Sequence, residues 1–170
     1  MQLHQINIQY DPAQDRLLLR ISTRDKQEYH LWLTRRLTAL WWPALFQVLG
    51  HSEPVRQHSD PQTQKAVLEF QHQHALEGTD FRKQFEPGEL SPAMAPLLVN
   101  KVQMRRAGEE HYLLLFSPQE GPGLEIRLPE KTVHALAKLI DEGVKLAEWG
   151  LTAPDAAQPT LAPAERKHIN

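Results

Sequence analysis

The sequence predicts an α+β fold: two antiparallel β-meander-plus-helix units in an approximate internal repeat, bridged by a middle helix. Three observations carry this. Apolar residues alternate with polar ones in three short runs near the start and again in three runs beyond residue 97, the period of half-buried strands. Each set hands over directly to a run of apolar residues at helical spacing. Between the two sets lies one more helical run, flanked by proline and glycine.

In the first unit, residues 1–50, Ile6, Ile8 and Tyr10 alternate with Gln5, Asn7 and Gln9 as the first strand. Asp11-Pro12-Ala13-Gln14-Asp15 supplies turn chemistry, with Pro12 setting a torsion and Asp11 able to bond nearby backbone. Leu17, Leu19 and Ile21 form the second strand, with Arg16 and Arg20 on its other face. A polar link, Ser22 to Gln27, leads to the third, carried by Tyr29, Leu31 and Leu33. Short links between successive strands make an antiparallel meander. The helix that follows starts with Thr34 as N-cap and spaces Leu37, Leu40, Trp41, Ala44, Leu45, Val48 and Leu49 toward a core before Gly50 stops it. Pro43 falls inside it and predicts a bend or a restart. Trp41 and Trp42 point about 100° apart on a helix, so one is expected in the core and the other against the second unit, the middle helix or a partner.

Residues 51–96 read as bridge and connector. Residues 51–59 have loop composition, and Asp60-Pro61 opens a helix running to about Glu77 that turns Val67, Phe70, Ala75 and Leu76 inward. Thr79 to Pro96, with Pro87, Gly88, Pro92 and Pro96, reads as irregular, with Phe81 and Phe85 as anchors. In the second unit, residues 97–150, Leu98, Val102 and Met104 suggest a strand, Tyr112, Leu114 and Phe116 a second, and Leu124, Ile126 and Leu128 a third. A helix from Pro129 or Glu130 to Glu148 spaces Val133, Leu136, Ala137, Ile140, Val144 and Trp149 toward the core. The span 1–150 is read as one α+β domain. Residues 151–170, rich in alanine and proline, are read as a mobile tail.

The words Leu31-Trp32-Leu33-Thr34-Arg35-Arg36, Val67-Leu68-Glu69-Phe70-Gln71, Leu97-Leu98-Val99-Asn100-Lys101-Val102-Gln103 and Ala147-Glu148-Trp149-Gly150-Leu151 resemble those of an uncharacterised family of short proteobacterial proteins. The resemblance covers nearly the whole chain. It implies no activity and no site residues, and it argues against a well-known enzyme family. In outline, the paired meander-and-helix units are similar to the Whirly and Pur-type repeats of single-strand nucleic-acid binders. Those usually have four strands per repeat where three are counted here, and the likeness concerns fold alone.

Bulk composition narrows the chemistry. A net charge of -2 argues against a protein dominated by phosphate neutralisation. With no cysteine, disulfides, thiolate metal sites and cysteine nucleophiles are excluded. The start lacks a basic region followed by an apolar one, and no apolar run approaches the ~18 residues of a spanning helix, so a cytoplasmic protein without membrane association is expected. There is no Gly-x-Ser-x-Gly or Ser-x-x-Lys word and no glycine-rich phosphate loop. His51, His58, His72 and His74 lie in one region with Glu53 and Asp60, but His72 and His74, two apart on a helix, diverge by about 200° and cannot chelate one ion. Neither a metal nor another cofactor is expected, and no catalytic residue is assigned.

Basic residues give the functional lead. Arg16, Arg20, Arg24, Arg35 and Arg36 cluster in the first unit; Lys101, Arg105, Arg106, Arg127 and Lys131 hold matching places in the second. Arg16 and Arg20 share a sheet face that His30 and Trp32 extend on the next strand, a basic surface carrying an aromatic, as single-strand binding requires. Asp15, Asp25 and Glu28 lie close enough to pair with those arginines across the strands instead. The expectation is a non-enzymatic binding or adaptor protein with an unknown protein partner. The alternative is a single-stranded nucleic-acid binder using Arg16, Arg20, Trp32, Arg35 and Arg36, and a third reading is a small metal-dependent enzyme acting through the His51–His74 region. A homodimer is compatible with all three.

Overall fold

The computed structural model describes residues 3–50, 57, 59–77, 85, 88–90 and 95–151. Residues 152–170, read above as a tail, lie outside these, as do His51, Glu53, His58, Phe81 and most of the connector.

The chain is α+β. Strands β1 (Leu3–Asp11), β2 (Arg16–Thr23) and β3 (Gln27–Thr34) form an antiparallel meander that runs straight into α1 (Arg35–Gly50). Helix α2 (Pro61–Glu77) follows. Two short strands, β4 (Glu89–Leu90) and β5 (Leu97–Leu98), then pair in parallel with β3. A second antiparallel meander, β6 (Lys101–Arg106), β7 (His111–Ser117) and β8 (Leu124–Pro129), leads into α3 (Glu130–Leu146). The order strand, strand, strand, helix therefore occurs in each half.

Local chemistry accounts for the boundaries. Asp11 Oδ1 accepts the N–H groups of Ala13 (2.9 Å) and Gln14 (3.2 Å), tightening the β1–β2 turn. Thr34 Oγ1 accepts the Leu37 N–H at 3.2 Å, and Asp60 Oδ2 accepts the Thr63 N–H at 2.8 Å, each satisfying an orphan donor at a helix start. Pro43 lies inside α1, which continues to Gly50 as one helix. α3 ends at Leu146; Glu148 and Gly150 take left-handed backbone and turn Trp149 back onto the protein.

One hydrophobic cluster runs through both halves. Leu17, Leu19, Ile21, Leu31 and Leu33 line the inner face of the first sheet, and Leu114, Phe116, Ile126 and Leu128 that of the second, all essentially inaccessible. Each contributes about 1.5–3 kcal/mol on burial. The helices are shared between the sheets. Trp41 on α1 meets Phe116 on β7 edge-on, with ring centroids 5.7 Å apart. On α3, a Cβ built at Gly143 would sit 2.9 Å from Ile8 Cγ2, so glycine there lets the second unit's helix approach the first unit's sheet. α3 is accordingly buried on most sides, including Thr132, His134 and Asp141, and α2 packs on α3 and reaches α1.

Trp41 and Trp42 are both buried, on an arc of roughly half the circumference of α1, and Trp41 packs on the second unit through Phe116. Two expectations are corrected. Among the described side chains of α2, Leu68 is buried, whereas Phe70 is 69% exposed and stacks on His74; the side chains of Ala75 and Leu76 lie outside the described ones. Leu98 does not join the strand of Val102 and Met104: it pairs with Trp32 in the first sheet, and the chain crosses to the second only at Val99–Asn100. Among the described residues no helix is long and apolar enough to cross a membrane.

Candidate binding groove

Strand register sets the outer face of the first sheet. Arg20 lies opposite His30 and Leu18 opposite Trp32, so Arg16, Arg20, His30 and Trp32 do share one face. Glu28 on that face is 2% exposed, and it gathers three partners: Arg20 Nε at 2.6 Å, His30 Nε2 at 2.6 Å and the Gly88 N–H at 2.9 Å. Burial pushes the Glu28 carboxyl up, but the bonds from Arg20, His30 and Gly88 outweigh it and hold the group below its ordinary value. The Arg20 guanidinium also lies 4.2 Å from the Phe85 ring centroid. Gly88 is needed at this point because an added Cβ would meet the Lys26 carbonyl oxygen at 2.7 Å. The connector thus closes over Arg20. Arg16 reaches Gln14 Oε1 at 3.3 Å, and Trp32 is half-buried, its carbonyl accepting the Val99 N–H at 3.0 Å.

Arg35 and Arg36 belong elsewhere, in the first turn of α1. Arg35 Nη2 donates to the Trp149 carbonyl at 2.8 Å. Beside it, Asp15 Oδ1 accepts the Trp149 indole N–H at 2.6 Å and the Tyr10 hydroxyl at 3.0 Å, bonds that hold the Asp15 carboxyl below its ordinary value. Arg35 therefore fastens the end of the second half to the start of α1, and Asp15 fastens it to the β1–β2 turn. Arg36 instead faces a cleft.

That cleft, about 340 Å³, is lined by Thr34, Arg36, Leu37, Leu40, Leu98 and Asn100 among others. A second of about 410 Å³ is lined by Gln47, Val48, Met104, Arg105, Arg106 and Tyr112. Both sit where α1 meets the chain of β6: the first at the start of the helix and of the strand, the second at the end of each. Along α1 between them, Leu40, Ala44 and Val48 are exposed at spacings of four, one flank of the helix left uncovered beside its buried arc. Leu40 is 70% exposed and Leu98 47%. Helical spacing alone placed Leu40 and Val48 in the core; seven apolar positions on one helix make a stripe wider than a single neighbour covers, and that width is the signal for an uncovered flank.

A third cleft, about 240 Å³, lies between α2 and the first turn of α3, lined by Phe70, Gln71, His74, Glu130, Lys131 and His134. Gln71 Oε1 is buried there without a hydrogen-bond partner. Among the described residues no group of three or more His, Asp or Glu side chains is close enough to hold a metal ion.

No protein-family model, curated protein or solved structure matches the chain.

Proposed function

We propose that the chain is a non-enzymatic binding protein whose protein partner docks along the seam between α1 and β6. The observation that supports this is the uncovered apolar flank of Leu40, Ala44 and Val48, continued by Leu98 and bounded by clefts at both ends. Apolar side chains in a continuous exposed patch with a charged rim are the usual material of an interface centre. Arg36 stands on the rim at one end, and Arg105 and Arg106 at the other. The test is a Leu40→Asp/Val48→Asp double variant. It is expected to keep the melting temperature within a few degrees, because both side chains already face solvent, and to lose a partner captured and identified with the unmodified protein. Retention of that partner rejects the reading.

The single-strand nucleic-acid reading draws support from a different observation, the placement of Arg16 and half-buried Trp32 on one outer face. Against it stands the engagement of Arg20 by Glu28 and Phe85. Titration with single-stranded oligonucleotides at low and near-physiological salt, followed by tryptophan fluorescence, decides: salt-sensitive quenching lost in Arg16→Glu supports it, and a flat response at low salt removes it.

A further inference from the structure

We infer that the ligand of the α1–β6 seam is an extended protein segment in which acidic and apolar residues alternate, added as a strand to the open edge of β6; this rests on the binding-protein reading above. Three features of the structure lead there.

The first is the backbone. Among the described residues β6 is the terminal strand of its sheet, with β7 on one side and no strand on the other. The Ala107 N–H donates to the His111 carbonyl at 2.8 Å, which places the 107/111 position among the hydrogen-bonded pairs of the ladder. Alternation along an antiparallel ladder assigns Arg105/Leu113, Gln103/Leu115 and Lys101/Ser117 to the same class. The N–H and C=O groups of Val102, Met104 and Arg106 therefore point away from β7, ready for another strand. Six residues of β6 span about 20 Å, the length of a short extended peptide.

The second is the pair of surfaces flanking that edge. On the inner side, an added strand would lay its side chains against Leu40, Val48 and Met104. On the outer side it would lie beside Lys101 and Arg105, both exposed and engaging no carboxylate among the described residues. Side chains alternate along a strand, so the ligand that satisfies both surfaces is apolar on one face and acidic on the other.

The third separates this occupant from its competitors. β6 carries Lys101, Arg105 and Arg106 and no acid, so pairing with β6 of a second copy sets like charges against each other. A nucleic acid would find phosphate contacts but little to stack on, since the groove floor is aliphatic and Tyr112 is 2% exposed.

The experiment uses the full chain, isotope-labelled for amide spectra, and a capped eight-residue peptide alternating glutamate and valine. Expected are shifts and slowed hydrogen exchange at Val102, Met104 and Arg106, and an affinity about tenfold or more weaker in Lys101→Glu/Arg105→Glu. Two control peptides, one with its valines N-methylated and one alternating lysine and valine, are expected to leave those amides unchanged. Strand addition is overturned if the N-methylated peptide binds as well, if the lysine peptide binds as well, if shifts fall outside the seam, or if oligothymidylate produces the same shifts more tightly. Loss of the natural partner in Leu40→Asp/Val48→Asp, together with no response to the glutamate peptide, keeps the binding reading and sinks strand addition alone.

Discussion

On the first sheet, Arg20 reaches across the strands to a buried glutamate and lies under an aromatic ring; on the second, Lys101 and Arg105 stand on the corresponding outer face and engage no carboxylate among the described residues. The strands that carry them are built alike. What differs is the connector: Phe85, Gly88, β4 and β5 fold back on the first sheet and cover both its face and the β3 edge. Nothing equivalent among the described residues covers β6. Arg20 is a structural tie because a loop and a carboxylate close over it, whereas Lys101 and Arg105 remain exposed.

Removing the carboxylate at the centre of the closed face is the strongest way to break this contrast. Glu28→Ala leaves Arg20 and His30 without their shared acceptor and is expected to cost about 3 kcal/mol in denaturant unfolding, as for one-sided loss of a buried pair. A cost under about 1 kcal/mol would mean that Arg20 relaxes into solvent and the face is less closed than its geometry states. Gly88→Ala forces a Cβ onto the Lys26 carbonyl and is expected to cost about 1–3 kcal/mol, with faster hydrogen exchange at Glu89. Acid should act on the same point. The folded-state pKa of Glu28 lies below its ordinary 4.5, so its contribution is complete at neutral pH and is lost as pH falls below that value through the folded one. Stability of Glu28→Gln measured across that window should decline less steeply than that of the unmodified protein; parallel curves would assign the acid sensitivity to other groups. The smallest effect belongs to the open face. Arg105→Ala is expected to change stability by no more than about 0.5 kcal/mol, and a larger loss would reveal an intramolecular role.

Much of the fold was legible because it is written in local periodicity. Ile6, Leu17, Leu19, Ile21, Leu31 and Leu33 alternate because one sheet face is buried, and Thr34 and Asp60 mark helix starts because they satisfy orphan amides close in sequence. The candidate binding residues were legible only as types. Arg16, Arg20, Trp32, Arg35 and Arg36 looked like one cluster, yet the tertiary structure gives Arg20 to Glu28, Arg35 to Trp149 at a separation of 114 residues, and Arg36 to the groove.

By itself, then, the sequence determined the two meanders, the three helices found among the described residues, the absence of thiol chemistry and which sheet faces are apolar, all short-range properties of propensity, alternation and composition. Only the tertiary structure decided that α3 crosses to the first sheet at Gly143, that Trp41 and Trp42 are both buried, and that one cationic face is closed while the other stands open. Those outcomes depend on long-range packing, in which a Cβ is tolerated or excluded by a side chain over a hundred residues away, and no local pattern records it.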